Sequence, residues 1–265
     1  MKTIENFGSE KAWYPRPRVE QEPVGFIGLL DDTMRALRTA AAHAPCVFAS
    51  SLSAEDMAVF HMIVQANLPI QTIALDTQRL PSATLALWQE AEAHYGHRIE
   101  RVSATLLEIC KLAETQPDSD IYETRTAREH CCTVRKTKPL GRMLADKKSW
   151  VTGLRKSQSA GRANIPMQEW DAAFELEKFN PLADWSDEAL WYFIDQQNIP
   201  TNALYDKGYA SIGCDPCTRP IRFDEHPRAG RWWWENIATT KGSATECGIH
   251  VSQKVISKQE SKDTV

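Results

Sequence analysis

The sequence predicts an α/β protein built on a parallel sheet. Two observations carry that expectation. Short apolar runs alternate with segments of helical period from residue 26 onward, and 265 residues at 42% hydrophobic content suffice to cover such a sheet on both faces. A single domain over residues 25–235 accounts for the alternation. A polar, irregular arm with Pro15, Pro17 and Pro23 precedes it over residues 1–24, and a segment over residues 236–265 follows.

Phe26, Leu29, Leu30, Met34, Leu37 and Ala41 fall on one helical face, and that helix must end before Pro45. Cys46–Ala49 is a short apolar strand running into the small-residue turn Ser50–Asp56, after which Met57, Phe60, Ile63 and Val64 mark the inner face of a helix. The pattern then repeats as strand Ile70–Leu75, helix Ala83–Tyr95, strand Arg98–Val102 and helix Leu106–Ala113. A basic helical stretch follows, then a strand over Trp150–Leu154. Ser186, with Asp187 and Glu188 in the first turn, opens a late helix that stops before Pro200. Beyond it the chain reads mostly as loop, and Val251–Val265 as a disordered polar tail.

A net charge of -4 and a pI near 6.0 count against a general nucleic-acid binder. The start has no apolar leader core and no later run approaches a membrane span, so the expectation is a soluble cytoplasmic protein. Between Arg125 and Arg162 eleven Lys and Arg stand against two acids, Glu129 and Asp146, a local net of +9. Such a run is either a solvated helical face or a pocket for a small, multiply charged anion.

Four of the seven cysteines form two pairs, the vicinal Cys131-Cys132 and the spaced Cys214-Asp-Pro-Cys217. Together they make a four-sulfur shell suited to zinc or to an iron-sulfur cluster. Neighbouring side chains diverge, which suits a cubane whose irons sit at separate corners better than one tetrahedral zinc. Both metals remain open, as do disulfides and plain core thiols. Cys46 and Cys110 lie among apolar neighbours and are expected in the core, whereas Cys247 lies in a stretch poor in bulky apolar residues, three before His250. An accessible thiol near cations is what a nucleophile needs, though a spare cysteine is otherwise incidental.

Ligands of open α/β sheets bind outside the carboxyl ends of the strands. Three segments occupy that edge: Ser50–Asp56, Leu75–Arg79 and Thr152–Lys156, with Arg162 beyond. The first two alone have bland alternatives, an N-cap and an ordinary Asp/Thr turn, and the third is a strand end followed by cations. Arg228 and Arg231 offer planar forks matched to an oxyanion, or else surface ion pairs, and the Trp232-Trp233-Trp234 run suits packing.

With these pieces in order the chain resembles the iron-sulfur adenylyl-sulfate reductases of the adenylyl/phosphoadenylyl-sulfate reductase family over residues 45–250. The marks are Cys131-Cys132, Gly-Tyr-Ala-Ser-Ile-Gly-Cys-Asp-Pro-Cys-Thr at 208–218, Arg-Ala-Gly-Arg-Trp-Trp-Trp-Glu at 228–235 and Glu-Cys-Gly-Ile-His at 246–250. The resemblance implies a Rossmann-like sheet of the adenine nucleotide alpha hydrolase (PP-loop) type. It also implies one 4Fe-4S cluster per chain on Cys131, Cys132, Cys214 and Cys217, and a catalytic nucleophile at Cys247. By the same resemblance Ser50, Ser51, Ser53, Asp56, Leu75, Thr77, Gly153 and Arg162 hold the nucleotide of adenylyl sulfate, and Lys136, Arg228, Arg231 and His250 surround its phosphosulfate. Thioredoxin or a similar dithiol protein is the implied partner, with no nucleic acid and no membrane, and self-association is left open. Ser53 and Gln78 stand where the family's pattern has glycine, and Ile249 stands for leucine. The rivals are 3'-phosphoadenylyl sulfate as substrate, and a zinc-stabilised binding module with no catalysis. An RNA-thiolating PP-loop enzyme would carry Ser-Gly-Gly-x-Asp-Ser where this chain has Ser50-Ser-Leu-Ser-Ala-Glu-Asp56.

Overall fold

The computed structural model describes residues 13–237, so Cys247, His250 and the tail lie outside the described residues. The chain runs through helix α1 (Phe26–Ala42), strand β1 (Cys46–Ser50), α2 (Ala54–Gln65), β2 (Gln71–Asp76), α3 (Ser82–Tyr95), β3 (Glu100–Ser103) and α4 (Leu106–Thr115). Helices α5 (Asp120–Glu123), α6 (Arg125–Cys132) and α7 (Lys138–Leu144) follow, with one turn of π-helix at Thr133–Thr137 between the last two. Then come β4 (Ser149–Val151), β5 (Gln168–Asp171), β6 (Leu176–Phe179), α8 (Asp187–Gln196) and α9 (Trp233–Ile237).

The strands form one sheet in the order β3-β2-β1-β4-β6-β5, parallel except for the antiparallel edge strand β5. Alternate residues of the central strand serve opposite faces, as the pleat requires. Cys46 and Phe48 pack with Phe26, Met57, Phe60 and Trp191 on one side, and Val47 packs with Leu140, Leu144 and Trp150 on the other. A central strand covered on both faces has no polar face to show, which is why it reads as an unbroken apolar run.

Several boundaries differ from the sequence expectation. The fourth strand stops at Val151 rather than Leu154, because Thr152 turns the chain: its hydroxyl donates to Asn180 Oδ1 at 2.6 Å and accepts from the Leu154 N–H at 3.3 Å. The basic helical stretch is two helices joined by the π turn. Helix α2 begins inside the predicted loop, at Ala54, with Ser53 as its N-cap. Strands β5 and β6 were not expected at all. Cys110 is exposed, not in the core, because α4 turns only Leu112 fully inward and Cys110 lies on the opposite face. Among the described residues no helix is long and apolar enough to cross a membrane.

Candidate active site

From β1 the chain winds outward through β2 to β3 and then returns to lay β4 on the other side of β1. Such a reversal opens a crevice at the carboxyl ends of the flanking strands. A cavity of about 280 Å³ lies there. Its wall includes Ser50, Ser51, Ser53 and Asp56 after β1, Leu75 and Thr77 at the end of β2, Gly153 after β4, and Lys136, Arg162, Arg228 and Arg231. Every described substrate candidate therefore faces one space, with Cys214 beside them.

The first loop is held by its own side chains. Ser50 Oγ accepts from the Leu52 N–H at 3.0 Å, and Ser53 Oγ accepts from the Asp56 N–H at 3.3 Å. Asp56 accepts from both the N–H and the hydroxyl of Ser51, each at 2.6 Å. Burial pushes the Asp56 carboxyl up to about 6 against the pull of those bonds. Ser53 has φ -70, so glycine's freedom is not needed there, and the left-handed residue of this loop is Leu52 at φ 59. Gln78 does take φ 59, the conformation that glycine adopts most cheaply, and its N–H donates to Asp76 Oδ1 at 2.7 Å. Gly153 is required by space, since a Cβ there would overlap Asp56 Oδ1 and come within 3.1 Å of Glu55 Cβ.

Contacts between distant parts of the chain brace this loop. Arg155, buried, donates to Glu55 at 2.8 Å and to Asp187 at 2.5 Å, and Gln158 donates to Glu55 at 2.9 Å. Burial raises Glu55, but Arg155 and Gln158 more than offset it and hold the carboxylate below its ordinary range. The Ala54 N–H donates to the hydroxyl of buried Tyr205 at 2.9 Å. None of these pairings has a local sequence signal, because the partners are about 30 to 150 residues apart.

The thiol stretches meet the cavity at Thr77. Its hydroxyl lies 3.2 Å from Cys214 Sγ, which donates to it, and its carbonyl accepts from Arg135 Nη1 at 2.9 Å. Cys131 packs with Cys214, Cys217 and Trp232, so the vicinal pair meets the spaced pair through its first member, and Cys132 is the last residue of α6 beside buried Arg128. The end of α6 with the π turn, the end of β2 and the Cys214–Cys217 stretch, far apart in sequence, are thus brought together.

The family model described as "Phosphoadenosine phosphosulfate reductase domain" matches residues 45–220. The chain belongs to the phosphoadenosine phosphosulfate reductase family. An adenosine 5'-phosphosulfate reductase of Allochromatium vinosum is 50% identical over 204 residues, 77% of this chain and 78% of that protein. One of Neisseria meningitidis is 42% identical over 217 residues, covering 82% and 87%. The crystal structure of phosphoadenylyl-sulfate reductase from Candida auris superposes with a TM-score of 0.61 at 22% identity, over 77% of this chain and all of that one, and so shares the fold.

Within this phosphosulfate reductase fold the thiols suit an anionic metal centre. Among the described residues no disulfide joins two cysteines. Burial raises Cys131 and pushes Cys217 up to about 11, while Arg135 and Arg79 act against it at Cys131 and Lys136 and Arg231 at Cys217. Arg128 Nη1, Arg135 Nε and Arg231 Nε are buried N–H groups with no hydrogen-bond acceptor. Buried donors ordinarily have partners, and sulfur-rich anions are acceptors for them. Among the described residues no three His, Cys, Asp or Glu side chains are gathered to hold one metal ion. Four thiols with buried, unpartnered arginine N–H groups near them are a donor set of the chemistry that the group implied by the resemblance takes.

Arg128 also anchors α9. Its Nη2 donates to Glu235 at 3.3 Å and its Nε to the same carboxylate, and its guanidinium lies 4.5 Å from the Trp232 ring centroid. The tryptophan run thus serves packing, with Trp232 buried. Glu235→Ala removes the hydrogen-bonded carboxylate of a buried cation and leaves it only Glu129 at 3.5 Å, so chemical denaturation should report a loss of roughly 3 kcal/mol. A loss within 0.5 kcal/mol, about what a surface change costs, would contradict the structure.

Proposed function

We propose that this chain is an adenylyl-sulfate reductase that uses Cys247 as nucleophile and a thioredoxin-type dithiol as reductant, in the reducing environment of the cytoplasm. The observation that carries the proposal is the convergence of both nucleotide loops, Lys136, Arg162, Arg228 and Arg231 on one cavity with Cys214 in its wall. The names of the 50% and 42% identical relatives support the unphosphorylated substrate.

The serine turn and the Leu75–Thr77 strand end bind the nucleotide, and Arg228, Arg231 and Lys136 hold the phosphosulfate. The Cys247 thiolate attacks the sulfate sulfur: a sulfur–sulfur bond forms, the bond from that sulfur to the bridging oxygen breaks, and AMP leaves with the electron pair. A thiol of the partner then attacks the Cys247 sulfur and sulfite departs with the electron pair. The partner's second thiol closes its disulfide and frees Cys247, so the dithiol is the species oxidised. Splitting one displacement into two covalent steps lowers each barrier. Nucleophile and substrate are both anions, so the chain's own cations do most of the work, each well-placed donor contributing roughly 3 kcal/mol. Cys131, Cys132, Cys214 and Cys217 would hold the 4Fe-4S cluster, which when bound supplies a clasp between the two cysteine stretches and a local field, since the dithiol supplies both electrons.

Lys136 lines the cavity and also acts electrostatically on Cys217. Lys136→Ala is expected to lower turnover about 100-fold while iron content stays at the parental level, and parental turnover would remove Lys136 from the mechanism. The whole reading is tested by anaerobic sulfite release with reduced thioredoxin, comparing adenylyl sulfate with its 3'-phosphorylated form. Sulfite from the former is expected. Preference for the latter would reassign the substrate, and sulfite from neither would end the reading. Brown protein with four irons per chain is the expected spectrum, against colourless protein with one zinc.

A further inference from the structure

We propose that His226 is a further phosphate-binding residue of the cavity, its Nε2–H donating to the phosphate that adenylyl sulfate and AMP share. The proposal rests on the cavity's taking an adenine nucleotide. His226 lines that cavity together with Arg228 and Arg231, and it is exposed rather than sealed into the wall.

The turn that carries His226 is clasped to the stretch that follows the spaced cysteine pair. Arg219 donates to Glu225 through Nη1 at 3.0 Å and through Nη2 at 2.5 Å, and Glu225 also accepts from the Arg222 N–H at 2.8 Å. On the other side of His226, the Arg219 N–H donates to the Gly230 carbonyl at 3.0 Å and Thr218 forms an antiparallel bridge with Arg231. Gly230 permits that approach, since a Cβ there would stand 2.3 Å from the Arg219 carbonyl oxygen. Inside the turn the Ala229 N–H donates to the His226 carbonyl at 2.7 Å. The segment is thus fixed at both ends, and the imidazole is carried on a rigid support.

The ring's own bonding decides which nitrogen carries the proton. Nδ1 accepts from the Arg228 N–H at 3.2 Å, and a ring nitrogen accepts only when it is unprotonated, so the proton sits on Nε2. Nε2 is on the side of the ring away from that main-chain contact, and among the described residues it has no hydrogen-bond partner. One edge of the imidazole therefore orders the main chain of Arg228, and the other presents a donor. An oxyanion can use an N–H and two guanidinium forks from one six-residue stretch at once, whereas adenosine offers no charge to either arginine. The phosphate is accordingly the part of the nucleotide that His226 meets.

His226→Asn keeps an acceptor for the Arg228 N–H, because its amide oxygen takes the place of Nδ1, and removes the donor at Nε2. In the full chain the Kd for AMP and the KM for adenylyl sulfate are expected to rise about tenfold, as loss of one hydrogen bond to a charged group requires, with the change falling on KM more than on kcat. Adenosine affinity, melting temperature and iron content should stay at the parental values, which a merely structural role for the ring would not produce. Parental AMP affinity in the folded asparagine protein overturns the proposal, and so does an equal loss for AMP and adenosine. A second measurement needs no variant: saturating AMP is expected to slow modification of His226 by diethyl pyrocarbonate in the parent, read by peptide mass, and saturating adenosine is not. Modification at the unliganded rate with AMP bound, or equal slowing by adenosine, overturns the proposal. Failure of the parent to bind AMP overturns the nucleotide reading of the cavity, and this inference with it.

Discussion

The Cys247→Ser protein is expected to bind AMP with the parent's affinity and to release sulfite on the order of 10⁴-fold more slowly, the scale on which removal of a covalent nucleophile is felt. The cations that hold the anionic ligand are untouched by the change, so binding and chemistry should separate. A serine hydroxyl at neutral pH is almost wholly protonated and has no adjacent base assigned to it, whereas a thiol beside cations supplies a usable thiolate fraction. Intact-mass measurement after mixing with adenylyl sulfate, before any dithiol is added, checks the intermediate directly. The parent should gain one sulfonate and the variant none. An adduct on a different cysteine, or sulfite release at the parental rate, would end the assignment of Cys247.

Gly153→Val is expected to weaken AMP binding about 100-fold and to lower the melting temperature by roughly 5 °C, consistent with overpacking a filled site. The added Cβ alone would collide with the Asp56 carboxylate. That carboxylate cannot swing aside cheaply, because the Ser51 N–H and hydroxyl both hold it at 2.6 Å. Nor can the backbone of α2 retreat, since Glu55, 3.1 Å from the same Cβ, is locked to Arg155 at 2.8 Å. The strain therefore passes into the first nucleotide loop. Titration calorimetry with AMP measures it, and parental affinity in the valine protein would show that β4 and the serine turn are not packed as described.

Much of the core sheet was legible because both of its faces are covered. Strands such as Cys46-Val-Phe-Ala49 announce themselves by apolar content alone, and the helices between them by period. Strands β5 and β6 were invisible for a definite reason. Glu177 and Lys178 interrupt β6, and Lys178 is buried only because Glu169 on the neighbouring edge strand neutralises it at 3.0 Å. That compensation exists only after the strands pair. The site was legible at strand ends and at cysteines, where residue type itself signals chemistry. The pairing of Arg155 with Glu55 and the contact of Tyr205 with Ala54 were not, because an arginine or tyrosine acquires its partners only on folding. The basic run between Arg125 and Arg162 divided both alternatives between its members: Lys136, Arg155 and Arg162 turn into the cavity, while Arg125 and Arg142 face solvent.

The turn at Thr133–Thr137 holds one more residue than an α-helical turn of the same kind. That surplus rephases everything downstream by about 100°, the angle one residue subtends on a helix. Lys136 sits inside the surplus, between the vicinal thiols and the Pro139–Leu144 stretch that grips the sheet. Excising Thr137 would straighten the rod while leaving Val134, Arg135 and Lys136 in the sequence. It would leave the sulfurs and the buried leucines unable to face their respective neighbours at once. The length of this segment is consequently as much a part of the chemistry as its composition.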